Sequence, residues 1–164
     1  MPHESRLTRE LRALLHAQRT AALGTTGDDG AAFVSMVPFA LEPTSGCLVI
    51  HVSGLAAHTR YLKDRSRVSL LVMQSEVAGR PVHALPRVTL EGEARALSSG
   101  SREGQVCRAA YLARFPEAEF MTQLGDFRFV AIEVTGARHV AGFGVARDVE
   151  REEVMRAMGA VSPD

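Results

Sequence analysis

The sequence predicts a mainly β, barrel-like domain with helices at its periphery, and three observations predict it. Apolar runs of strand length recur along the chain, separated by turns rich in Gly, Asp and Pro. Helical spacing is confined to short stretches at the two ends and between strands. Hairpins come first and long single crossovers are rare, which disfavours a doubly wound parallel sheet.

The elements follow in order. Leu7, Leu11, Leu14 and Leu15 recur at helical spacing, so a first amphipathic helix runs from about Arg6 to Gln18 with Ser5 as its cap. Its polar face carries acid as well as base, which fits a helix packed on a sheet better than one lying on a membrane. AALGTT, the turn GDDG and AAFVSMVPFAL then read as a β-hairpin. In the second run Phe33, Val37 and Phe39 face one way and Val34 and Met36 the other, so both faces expect cover. Pro38 cannot donate to a ladder and marks a strand end or an edge.

CLVIHV is a third strand, and SGLAAHTRYLKD is a short helix with Ser53 near its start. RVSLLVM is a fourth strand; QSEVAGRPVHALP has no period and reads as a loop. RVTLEGEARAL alternates cleanly, with Val88, Leu90, Gly92, Ala94 and Ala96 on one face. A helix is expected from Gln105 to Arg114, closed by Phe115–Pro116. FRFVAIEV and ARHVAGF are read as two further strands. Asp148 is the expected cap of a last helix bearing Val154, Met155 and Met158, which ends near Gly159 ahead of a VSPD tail.

A chain of 164 residues fits one domain, residues 1–164. Lys plus Arg balances Asp plus Glu at 19 each, so no global field steers the chain onto nucleic acid or an anionic membrane. Lys63 is the sole lysine; the cations are otherwise arginines, suited to fixed bidentate contacts. Cys47 and Cys107 lack CxxC spacing and read as buried free thiols. The polar opening MPHESRLTRE is unlike a signal peptide, and no apolar run is long enough to span a bilayer, so the expected compartment is the cytoplasm.

Two segments carry chemistry. In HVSGLAAHTRYLKD, Ser53 follows a strand directly, and His58, Thr59 and Arg60 lie in the helix after it. A strand-to-helix corner leaves backbone amides unpaired, and a hydroxyl with a guanidinium supplements them for phosphate. Arg60 and Arg87 are the candidate charges. Taken alone, Ser53 reads first as a helix cap and Arg60 as a solvated surface group. His58 is open between a core ring bonded to a carbonyl and an anion contact. In FVSMVPF, Ser35 is the one polar side chain of an apolar strand, whose edge suits a flat apolar ligand with Val34 and Met36 as walls. The GxSxG, GxGxxG and Walker patterns are absent, and the histidines form no HxH or HExxH pair, so no metal site is expected.

Four stretches together resemble the pyridoxamine 5'-phosphate oxidase-like split-barrel flavin-binding superfamily, and within it the branch associated with haem utilisation. They are AALGTT…FVSMVPFAL, LVIHVSGLAAHTRYLKDRSRVSLLV, RVTLEGEARAL and YLARFPEAE…LGDFRFVAIEVTGARHVAGFGVA, spanning Leu14 to Phe143. The resemblance implies a six-stranded split β-barrel of the FMN-binding type, forming a homodimer with the cofactor at the subunit boundary. By position, Val34, Ser35 and Met36 would line the FMN ring, with Gln74 close to it. Ser53, Thr59 and Arg60 would hold the phosphate, with His58 nearby and Arg87 contributing a basic group.

The C-terminal stretch lacks tryptophan and the oxidase's substrate-recognition pattern, and the chain stops short of the extension that haem-degrading relatives use. The expectation is therefore a cytoplasmic FMN-dependent oxidoreductase, a flavoprotein passing electrons from a reduced donor to a small-molecule acceptor. The alternatives are a haem or tetrapyrrole binder without flavin turnover, with His51, His58 or His139 as axial ligand, and a non-catalytic dimeric binding domain.

Overall fold

Pro38 and Phe39 decide how the sheet closes. The computed structural model describes residues 3–159; the expected tail, residues 161–164, lies outside them. The chain forms strands β1 (Thr20–Thr26), β2 (Ala32–Pro38), β3 (Ala40–Glu42), β4 (Cys47–Ser53), β5 (Arg67–Met73), β6 (Arg87–Ala96), β7 (Phe127–Gly142) and β8 (Val145–Glu150). Helices α1 (Arg6–Ala17), α2 (Ala57–Asp64), α3 (Arg102–Arg114) and α4 (Arg151–Met158) surround them. Hydrogen-bonded order is β2-β1-β5-β6-β7-β4-β3, with β8 attached to β7, and the pairings among the described residues are antiparallel. The first and last strands of that order, β2 and β3, are separated in sequence by Phe39 alone. A sheet whose two ends are one bent segment must curl, and it forms a split barrel. With β2 and β3 counted as that one bent strand, six strands make the barrel and β8 pairs outside it.

The barrel core is the inward row of each strand. Leu23, Phe39, Ile50, Leu70, Leu90 and Ile132 are fully sealed there. A smaller apolar cluster on the other side of β4 and β7 packs Cys47, Val49 and Ala131 under Cys107, Tyr111 and Phe115. Both cysteines are free and buried.

Helix α1 has the expected bounds within a residue. Ser5 caps it, its side chain accepting from the Thr8 amide at 3.1 Å, and Leu11, Leu14 and Leu15 are buried. The helix packs on α4 and the sheet. The β1–β2 turn places Gly30 at φ +82°, a left-handed conformation that glycine takes without strain.

Three boundaries differ from the sequence expectation. The two strands read as FRFVAIEV and ARHVAGF are one strand, β7, which passes through Gly136 with Thr135 as the extra residue of a bulge. Gly92 of β6 permits this close approach: a Cβ there would lie 2.6 Å from the Glu133 carbonyl oxygen. Asp148 is not a helix cap but lies in β8, and α4 starts after Glu150. Helix α3 starts at Arg102, three residues before the expected Gln105, and Ser101 caps it, accepting from the Gly104 amide at 2.9 Å.

No helix among the described residues is long and apolar enough to cross a membrane.

Candidate functional site

Strand β4 ends at Ser53, and the chain turns through Gly54–Ala56 into α2. Residues from three other segments gather on this corner. The Ser53 hydroxyl accepts from the Leu55 amide at 3.1 Å and donates to Asp126 Oδ2 at 3.0 Å. The Gly54 amide donates to the Asp126 carbonyl at 2.6 Å, which ties the corner to the start of β7. Thr59 turns its hydroxyl back onto the Ser53 carbonyl at 2.6 Å. Arg60 reaches the β1–β2 turn and pairs with Asp28 at 3.0 Å, while its guanidinium lies 5.1 Å from the Tyr61 ring centre.

Strand β2 completes the corner. Phe33 packs edge-on against Tyr61 with ring centres 5.4 Å apart. Two residues on, and on the same face, Ser35 Oγ lies 2.8 Å from His58 Nδ1. His58 is half-buried, and burial lowers its pKa below the ordinary histidine value, so the neutral ring prevails at pH 7. Its Nε2 has no hydrogen-bond partner among the described residues and is not sealed from solvent. Leu55, 89% exposed, and Leu124, also exposed, flank the Gly54–Asp126 bond as apolar surface.

The corner thus unites Ser35, Ser53, His58, Thr59 and Arg60. Gln74 and Arg87 are placed elsewhere, at the β5–β6 connection, where the Gln74 amide donates to the Pro86 carbonyl at 2.9 Å. Gln74 lines a groove of about 390 Å³ beside α1, with Glu10, Ala13, Leu14, Pro86 and Ala141. The Arg87 guanidinium donates to the carbonyls of His83 and Leu85. Val34 and Met36 point the other way from Ser35, onto the outer face of the sheet, where both are exposed. Sequence reading missed Asp28 and Asp126. Asp28 was visible only as turn chemistry in GDDG, and nothing local in LGDF marks Asp126 as a partner of Ser53.

The other two candidate axial histidines differ from His58. The His51 ring stacks on Phe129 at 4.4 Å between ring centres, with Phe127 and Tyr111 around it, and its Nδ1 is buried without a partner. His139 is 1% exposed, and both of its ring nitrogens are buried and unpaired.

An antiparallel sheet curled on itself with helices at its rim defines the class of split β-barrels. The chain matches the family model described as pyridoxamine 5'-phosphate oxidase over residues 7–141 and belongs to that family. It is 32% identical over 151 residues to the chloroplastic heme oxygenase HOZ of Arabidopsis thaliana, a match covering 88% of this chain and 44% of that protein. It is 26% identical over 153 residues to heme oxygenase HutZ of Vibrio cholerae, covering 93% and 86% of the two chains. Among solved structures it is similar to a heme binding protein from Mycobacterium smegmatis, with a TM-score of 0.83 and 26% identity over 94% of this chain and 62% of that one. The chain thus spans less than half of the plant relative's length.

These relatives correct the expected cofactor and activity. The haem-associated branch holds, but the relatives are haem oxygenases and a haem-binding protein, not FMN-dependent oxidoreductases, so the flavoprotein reading is overturned. The corner gives a physical reason. The hydroxyls of Ser53 and Thr59 and the guanidinium of Arg60, which a phosphate would need, are spent inside the protein. Two of their partners, Asp126 and Asp28, are carboxylates, whose charge opposes a phosphate at that place.

Proposed function

We propose that this protein binds haem at the corner between β4, α2 and β2, with His58 offering its Nε2 to the iron, and that it does so as a homodimer. The observation that carries the reading is the His58 ring: half-buried, neutral and held at Nδ1, with no hydrogen bond at Nε2 among the described residues. A haem ligand needs that combination, because the metal takes a lone pair from a neutral imidazole whose other nitrogen is fixed by a hydrogen bond. His139 is sealed from any ligand, and the His51 ring is engaged in aromatic packing.

The surroundings suit a porphyrin. Leu55 and Leu124 supply exposed apolar surface beside the corner. Bound haem would supply a redox-active iron. What this chain contributes is an axial nitrogen and an apolar seat. The names of the relatives support haem as the ligand class.

The homodimer reading rests on the outer face of the sheet. Val34, Met36 and Met73 lie exposed on the outer face of β2 and β5. An apolar sheet face beside an edge strand calls for a partner, and a second copy of this chain, presenting the same face, matches it in chemistry.

Titration of the purified protein with haemin, followed by absorption, tests the function. The expected result is a sharp, protein-specific Soret band that saturates near one equivalent per chain. A spectrum that remains that of free haemin throughout would overturn the reading.

A further inference from the structure

We propose that His139 is an acid-operated latch for the helical layer: on taking up a proton it loosens the seam that joins α1 and α4 to β8, while the barrel behind the seam stays closed.

The seam has a polar hub. Leu11 and Leu15 of α1 and Val154, Ala157 and Met158 of α4 are buried against the sheet. The polar contacts that tie these helices to β8 meet at Glu153. The Thr8 hydroxyl of α1 donates to its Oε1 at 2.7 Å, and the Arg147 guanidinium of β8 donates to its two oxygens at 2.8 and 2.9 Å. Arg12 adds a bond to the Gly159 carbonyl just past α4. Three elements are thus held through one carboxylate, and that carboxylate is mostly buried.

His139 stands beside the hub. It lies directly across from Arg147 in the β7–β8 ladder, so the two side chains share a face. Both ring nitrogens are buried without a partner, and so is Arg147 Nε. A neutral ring endures that place. A protonated one carries two donors with no acceptor, opposite a guanidinium. The charged groups that face it are Arg147 from β8, Glu153 from α4 and Glu10 from α1, while β6 presents the uncharged Val88. Glu10 is engaged with Arg6 on the surface, and Glu153 serves Arg147 and Thr8. Glu153 can answer the new charge only by giving up a contact that holds the seam. Parting the seam and hydrating the ring relieves both the burial and the repulsion.

The direction with pH follows. Burial first, and then Arg147, hold the His139 pKa below the ordinary value while the seam is closed. In the parted seam the ring is hydrated and titrates near 6.5. The open form therefore binds the proton more readily, so the seam is firm above that pH and weakens as the pH falls below it. Glu153, whose pKa the Arg147 hydrogen bond holds down, stays ionised through this window. The ladders from β1 to β7 do not run through Glu153 and need not part. Helix α1 also forms one wall of the groove that Gln74 lines, which widens as the helix loosens.

Hydrogen exchange of the full chain, read by mass spectrometry on peptides between pH 7.5 and 5 and corrected for intrinsic rate, tests the latch. In the wild type, protection of α1 and α4 should fall by up to about tenfold per pH unit below about 6.5, the limit for one proton, while β5 and β6 keep theirs. His139→Gln and His139→Leu, neither of which titrates, should remove the pH dependence from α1 and α4. Glu153→Gln should lower the protection of both helices already at pH 7.5. Wild-type protection that does not change with pH in α1 and α4, or falls equally in the barrel strands, overturns the proposal. The same fall in either folded His139 variant, or wild-type protection in Glu153→Gln, overturns it as well.

Discussion

Neighbouring residues of β2 live in two different environments. Val37 is 3% exposed in the barrel core, whereas Met36, one position earlier, is 66% exposed on the outer face. The same split runs through β5, where Leu70 and Val72 are sealed and Met73 is exposed. Strand geometry makes such a division automatic, since successive side chains point to opposite sides. What it does not dictate is that the outer side be apolar. The inner face is closed by the chain itself, and its energetics are those of packing. The outer face carries apolar groups that stay exposed among the described residues, so burial within the chain adds little to their energetics.

The difference can be attacked from either side, and the inner face should give the largest response. Leu70→Ala is expected to cost about 2–5 kcal/mol, as buried leucine truncations do, read as a lower urea midpoint at unchanged slope. A loss below about 1 kcal/mol would mean that the barrel interior is loosely packed or collapses around the void.

His139 probes the inner face in a second way, because it is a buried titratable group there. It sits opposite Val88 of β6 and faces the same side. Burial first, and then the Arg147 charge on β8, push its pKa below the ordinary value, while Glu10 on α1 and Glu153 on α4 pull weakly the other way. The unfolded chain, with histidine near its usual value of about 6.5, therefore takes up the proton more readily than the folded one. Stability is full above that pH and falls as the pH drops towards the lower folded-state value. Urea midpoints should decline between pH 7.5 and 5, and His139→Leu should flatten the decline without abolishing it, since His51 and His58 are lowered by burial as well. An undiminished slope in the variant would place the acid sensitivity elsewhere.

The outer face should give the smallest change in fold and a clear change in assembly. Met36→Lys adds a charge at an exposed position and should leave the far-UV spectrum as it is. If two copies meet through this face, the mass in light scattering should fall by half. The same mass for both proteins across a dilution series would end the homodimer proposal.

Much of this architecture was legible along the chain. The alternation of RVTLEGEARAL gave β6, the leucine spacing and Ser5 gave α1, and Pro38 gave a strand end at a sheet edge. The seam between FRFVAIEV and ARHVAGF misled, because Thr135 and Gly136 look like a break when read locally. They are a bulge that β6 accommodates at Gly92, 44 residues away. The corner was legible in its residue types but not in their commitments: Ser53, Thr59 and Arg60 are donors in sequence, and donors already spent in space.

The sequence by itself determined the periods, the turns and the edge, since those depend on neighbours a few positions apart, and these suffice for a curled antiparallel sheet with outer helices. Only the tertiary structure decided the chemistry of the site. It set Asp126 against Ser53, Asp28 against Arg60 and Ser35 against His58, contacts spanning 73, 32 and 23 positions. A hydrogen bond's worth depends on which partner closes over it, and separations of that size leave no trace in local pattern.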